Sequence, residues 1–203
     1  MKLFNIDSPM MQALSKIADL FILNLLFIVC CIPIITIGTS LTALYTVTLK
    51  TARNEESYVF RSFFKALKDN FKISTLSWLI LLIAGTILFI DFRYAVVFPE
   101  PYNQIIRVAT VSLSILYLLL ITYLFPYIAR FENTLKDSFK NAFLLSVTHL
   151  PYTFLFLVIG VLAIVLTFLL DFQVIGFLWI VIGFSGLAYI NSMLFRRIFA
   201  KFE

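Results

Sequence analysis

Residues 141–170 read NAFLLSVTHL PYTFLFLVIG VLAIVLTFLL, thirty positions in a row without Asp, Glu, Lys or Arg. A run of about 18–20 such residues is enough to cross the hydrocarbon core of a bilayer. In hydrocarbon a segment must satisfy its own backbone hydrogen bonds, which makes this stretch helical. Four further uncharged runs lie outward from it, at residues 20–49, 73–90, 108–129 and 172–195. None shows the in–out alternation of a membrane strand. The fold class that follows is all-α: a polytopic transmembrane helix bundle of about five spans, with residues 1–203 forming a single transmembrane domain.

Composition points the same way. Hydrophobic residues are 62% of the chain and charged residues 13%, against roughly 45–50% and 25% in soluble domains. A soluble fold of this size would expose one continuous apolar patch. The net charge of +5 would suggest nucleic acid in a soluble protein. Here the basic residues fall between apolar runs, so the expected partner is the lipid bilayer with its anionic headgroups, and no nucleic acid. Cys30 and Cys31 are adjacent and read as buried reduced thiols. With one histidine in the chain, no closed zinc site can be assembled, and neither metal nor cofactor is expected.

The run at 20–49 is too long for one crossing. Asp7-Ser8-Pro9 reads as a helix start. A helix from there enters the bilayer near Asp19 and reaches Gly38 after about 20 residues at ~1.5 Å each. Pro33 and Gly38 fall where that span should end. Thr39-Ser40 can cap a second, shorter helix to about Arg53, with Leu41, Leu44, Tyr45 and Leu49 on one face and Thr39, Thr42 and Thr46 on another. It reads as interfacial or re-entrant. The apolar run is too long for a cleavable signal peptide and lacks a small-x-small cleavage pattern, so the first span is expected to stay.

Five spans split the basic residues unevenly. One side receives residues 50–72, the 130–140 loop and the C-terminal tail, with twelve Lys and Arg; the other receives the N-terminal tail, Arg93 and Arg107, with four. The positive-inside rule then predicts the N-terminus outside and the C-terminus inside a bacterial cytoplasmic membrane. A weak internal echo pairs residues 57–91 with 129–171 and suggests a parallel repeat, 57–130 and 131–197. In the first half Phe60, Phe63, Phe64, Leu67 and Phe71 share a helical face flanked by Arg61, Lys65, Lys68 and Lys72. In the second Leu135, Phe139, Ala142 and Phe143 are flanked by Lys136 and Lys140. Asn54 with Glu55 and Glu56, and Thr134 with Asp137, read as the two helix starts. Both segments read as cytoplasmic amphipathic helices, with rings at the headgroup boundary and cations in water, or as docking surfaces for a partner.

The chain lacks a phosphate-binding Gly-rich loop, which excludes an ATPase, and has no acid inside a span, which counts against a proton-coupled pump. His149 is the ionisable group at depth, and Pro151 after it frees the carbonyl of Val147, so a local polar pocket is expected. Gly183-Phe184-Ser185-Gly186 resembles the Gly-x-Ser-Gly of rhomboid proteases, but the order of Ser185 and His149 is reversed and the span count differs. Ser185, Ala188 and Ser192 are read instead as a small-residue face for helix packing, with His149 bonded to a neighbouring helix. Asn24 and Asn191 are intramembrane amides that either bond across the bundle or line a cavity with Thr42 and Thr46. No catalytic residue is assigned.

The N-terminal motif resembles the YesL family. It comprises Phe4-Asn5-Ile6-Asp7-Ser8-Pro9, Ala18-Asp19-Leu20, Asn24-Leu25-Leu26 and Cys31-Ile32-Pro33-Ile34-Ile35-Thr36-Ile37-Gly38-Thr39-Ser40-Leu41-Thr42-Ala43-Leu44-Tyr45, followed by Arg61-Ser62-Phe63-Phe64-Lys65 through Asn70-Phe71-Lys72. The later spans match in hydropathy alone. The resemblance implies a small membrane protein, mainly of Gram-positive bacteria, from a family without an established biochemical function. The family's genes often neighbour carbohydrate ABC transporters, polysaccharide-degrading enzymes and two-component sensors. It therefore implies a non-enzymatic accessory role in carbohydrate uptake or sensing, with an ABC transporter permease or a sensor kinase as partner. The alternative is a small-solute transporter or channel, lined by Asn24, Thr42, Thr46, His149 and Asn191; an intramembrane enzyme is a third reading. The oligomeric state is not readable from the residues.

Overall fold

The computed structural model describes residues 9–55, 58–94, 102–169 and 172–201. Every regular element among them is helical. Helix α1 (Pro9–Cys31) leads through a 3-10 turn (Ile34–Thr36) into α2 (Ile37–Ala52). Then come α3 (Val59–Asp69), α4 (Phe71–Tyr94), α5 (Tyr102–Arg130), α6 (Leu135–Thr148) and α7 (Leu150–Leu169). The last passage is α8 (Phe172–Leu178), a π-helical segment (Trp179–Gly183) and α9 (Phe184–Phe199). Five stretches are long and apolar enough to cross a membrane: Met10–Cys31, Phe71–Tyr94, Tyr102–Arg130, Leu150–Leu169 and Val174–Phe199. The five expected spans are therefore present, with shifted bounds. The uncharged run at 141–170 is not one helix. It breaks at His149, ahead of Pro151, whose ring cannot donate the next backbone bond.

Of the two expectations for the second helix, interfacial or re-entrant, the interfacial one is corrected. α2 is the innermost helix, packed against α1, α3, α4, α5 and α9. Both of its faces are covered: Ala43, Leu44 and Val47 are buried, and so are Thr39, Thr42 and Thr48. It starts at Ile37, before Thr39 and Ser40, so those residues do not cap it. The first span also ends earlier than Gly38, at Cys31. Its end is held by side chains: the hydroxyls of Thr36 and Ser40 donate to the Cys30 carbonyl at 2.6 and 3.1 Å. Cys30 and Cys31 are free thiols at this corner, half-buried rather than buried.

Asn54 ends α2 and does not start α3. Its φ of 57° is left-handed. Its N–H donates to Thr51 O at 3.1 Å, and the Glu55 N–H reaches back to Lys50 O at 3.0 Å. This paired closure satisfies carbonyls that the helix end leaves without partners. Glu56, Asp7, Ser8 and Asp171, which the sequence reading also used, lie outside the described residues. Thr134 caps α6 as expected, accepting from the Asp137 N–H at 3.3 Å.

α1 and α2 form an antiparallel pair, and this changes the topology. Lys16 Nζ donates to Asn54 Oδ1 at 2.9 Å, and Arg196 Nη1 donates to Ala52 O at 2.8 Å. The start of α1 and the end of α9 therefore meet at the end of α2, on one face of the bundle. The expected arrangement put the two termini on opposite sides; in the fold the start of α1 and the end of α9 share one face of the bundle, because α2 carries the chain back through the interior. Lys16 joins the basic end, while Arg93 and Arg107 stay on the helices near the α4–α5 connection, at the opposite end.

An aromatic cluster ties α5, α7 and α9 together. The Phe156 and Phe195 rings stack at 4.3 Å, and Tyr123 meets both edge-on at 5.6 and 5.3 Å. Such geometries stabilise beyond the area they bury. α3 docks on α1 and α2 through Val59, Phe63 and Ala66, while Phe60 and Phe64 stay exposed on its outer side. α6 packs on α5 and α7 by burying Ser138, Ala142, Leu145 and Ser146, with Phe143 left exposed.

Candidate functional site

Polar side chains inside the bundle are engaged in helix–helix contacts. Asn24, fully buried on α1, donates from Nδ2 to the carbonyls of Trp179 and Ile180 at 2.9 and 2.7 Å. Its Oδ1 accepts the Ser185 N–H at 2.9 Å. The π-helical segment loosens the usual ladder at these groups, and one amide re-satisfies all three. Ser185 donates its hydroxyl to Leu20 O at 2.7 Å, again from α9 to α1. It is a packing residue, as the small-residue reading expected.

α2 is stitched to α4 by Thr39–Thr75 and Thr42–Ser74 hydroxyl pairs, each 2.8 Å long, and to α9 by Thr48–Ser192 at 2.8 Å. Gly38 permits this approach: a Cβ there would lie 2.5 Å from Trp78 Cβ and 2.6 Å from the Ser74 carbonyl oxygen. Pro33 opens the 3-10 turn, and Trp78 Nε1 donates to Ile34 O at 2.8 Å. Asn191 is buried beside α2, with no partner for its Oδ1 among the described residues.

His149 closes α6 and pairs Nδ1 with the Thr148 hydroxyl at 3.0 Å. Next to Pro151, Thr153 donates to Ser146 O at 2.7 Å and pairs with Tyr123 Oη at 2.8 Å. The seven intramembrane candidates are thus dispersed. Asn24 sits at the α1–α9 contact, Thr42 and Gly38 at α2–α4, and His149 at the α6–α7 break.

One candidate, Thr46, reaches a different place. It lines an open groove of about 980 Å³ at the basic end, between α2, the α3–α4 junction and the α5–α6 loop. Lys50, Lys65, Lys72 and Arg130 line it, together with the acids Asp69, Glu132 and Asp137. Asp137 is engaged in the α6 cap, where the Thr134 hydroxyl donates to its Oδ2 at 2.5 Å. Ile73, Leu76 and Ile128 form an apolar flank. Arg61, Lys68, Lys136 and Lys140 are exposed on the same end without lining the groove. A second cavity of about 490 Å³ lies between α2 and α9, bordered by Arg196 and Arg197.

Sequence reasoning found the basic stripes but not the groove, because its walls come from segments far apart in the chain. It also missed the α2 hydroxyl pairs. The Thr39, Thr42 and Thr46 stripe was a visible signal, but its partners Ser74 and Thr75 sit inside an ordinary-looking span.

Residues 20–92 match a protein-family profile described as "Protein of unknown function, DUF624". The chain is 28% identical over 164 residues to the uncharacterized protein YesL of Bacillus subtilis (strain 168), which covers 78% of this chain and 77% of that protein. It is 29% identical over 121 residues to the uncharacterized protein YteU of the same strain, covering 59% of this chain and 54% of the relative. No solved structure gives a significant match.

Proposed function

We propose, from the premise that this chain is a YesL-like membrane protein, that it is a non-enzymatic accessory subunit that docks a membrane partner through its basic end. The observation that carries the reading is a contrast in how polar groups are used. Inside the bundle Asn24, Thr42 and Thr48 are consumed in helix–helix bonds. At one end, charged side chains instead surround an open groove.

The basic end is assigned to the cytoplasm by the positive-inside rule, and both helical ends go with it. The partner is taken to be a carbohydrate ABC transporter permease or a sensor kinase, which rests on the family resemblance alone. A solute path through Asn24, Thr42, Thr46, His149 and Asn191 is the weaker alternative, because Asn24, Thr42 and His149 lie at separate helix contacts. Crosslinking and affinity capture from native membranes of cells grown on plant polysaccharide test the reading. Recovery of a transporter or sensor subunit is expected; recovery of neither overturns it.

A further inference from the structure

We propose that the large groove at the basic end is a headgroup site for an anionic phospholipid. Two features of its lining meet in one molecule of that class. The lining is cationic, with Lys50 from α2, Lys65 from α3 and Lys72 from α4. It is also apolar, with Ile73 and Leu76 within the next turn of α4, a helix long and apolar enough to cross a membrane. A soluble phosphate ester would use the cations and leave the apolar flank wet. A phospholipid uses both, with phosphate against the ammonium groups and acyl chains along α4.

The surroundings set the depth. Phe60, Phe64 and Phe71 are 62%, 41% and 46% exposed on α3 and the start of α4, at the same end of the bundle as the groove. Exposed rings beside lysines are characteristic of elements lying at the headgroup boundary. Lys65 and Lys72 are exposed, so neither is spent on the core. Asp69, Glu132 and Asp137 share the lining with Lys50, Lys65, Lys72 and Arg130 and leave it only modestly positive.

The test uses the full-length protein purified in a neutral detergent, with short-chain phosphatidylglycerol titrated in and bound lipid counted by native mass spectrometry. The variants are Lys65→Gln/Lys72→Gln, which removes groove charges, and Lys136→Gln/Lys140→Gln, which removes as many charges from the same end outside the groove. Each lysine near an anionic headgroup is worth ~1 kcal/mol, so the groove pair should lose at least about tenfold in affinity and the control pair less than about threefold. Equal losses in the two variants, or no loss in the groove pair, overturn the site. Displacement of the lipid by millimolar glycerol phosphate overturns the choice of a lipid over a free phosphate ester. This result is independent of the partner-capture experiment, since a lipid site requires no protein partner.

Discussion

α3 and α6 follow one sequence recipe, phenylalanines with lysines at helical spacing, yet they dock differently. α3 inserts a large side chain, with Phe63 fully buried against α1 and α2. α6 inserts mostly small ones, Ser138, Ala142 and Ser146 beside Leu145, and lies close against α5. Small residues let helix backbones approach, which is the usual means of association where lipid removes the hydrophobic driving force. A knob such as Phe63 instead fills a hole at the rim of the bundle. The same recipe thus gives one helix braced by shape and another braced by proximity. Both leave their lysines outward, and Phe60, Phe64 and Phe143 stay uncovered, whereas Phe139 packs partly against the core. The interior repeats the contrast in polar terms: the α1–α9 contact rests on the Asn24 amide and the Ser185 hydroxyl, each bonded to backbone, the α2–α4 contact on paired hydroxyls and a glycine.

The largest effect to be expected is all-or-none. If α2 carries the chain back through the bundle to the end where α3 and α6 lie, reporter fusions placed before α1 and after α9 will read the same side of the membrane; opposite sides would break that account of α2 outright. Next is Asn24→Leu, which leaves the Trp179 and Ile180 carbonyls and the Ser185 N–H without this partner. A buried orphaned group costs about 1–3 kcal/mol, so a loss of ~3 kcal/mol is expected in reversible unfolding from detergent micelles. Gly38→Ala forces a methyl against Trp78 and the Ser74 carbonyl, and overpacking of this kind costs about 1–3 kcal/mol by the same measurement. Thr42→Val and Ser74→Ala, run as a double-mutant cycle, should couple by only about 0.6 kcal/mol, since intramembrane hydrogen bonds average near that value. Lys136→Gln with Lys140→Gln should change stability by less than about 0.5 kcal/mol; a larger loss would mean α6 is braced by charge and not by proximity.

Much of this was legible in the residues. The uncharged runs gave the spans, because length and hydropathy act locally. Thr134 announced α6 through a contact within one turn. What failed were properties set by distant partners. α2 read as interfacial because its mixture of threonines and leucines fits a boundary as well as a core; only Ser74, Thr75 and Ser192 on other helices make it internal. The same reading underlies the expected N-terminus outside, since five long spans with α2 left at the surface put the ends on opposite sides. Asn54 read as a helix start because Asn suits both caps, and its positive φ is a conformational fact no side-chain pattern displays. Asn24 was picked out correctly as an intramembrane amide, but its partners are backbone groups at a π-helical segment and have no sequence signature.

The Asn24 contact also has a meaning in time. Its carbonyl partner on Trp179 lies 155 residues downstream. At roughly 5–20 residues per second of translation, about 8–30 seconds separate the emergence of the two. Throughout that interval the first helix carries an amide in lipid with its final partners not yet made. The nascent chain must therefore keep α1 loosely held, in the insertion machinery or against a temporary neighbour, until the last passage arrives and locks the first one in place.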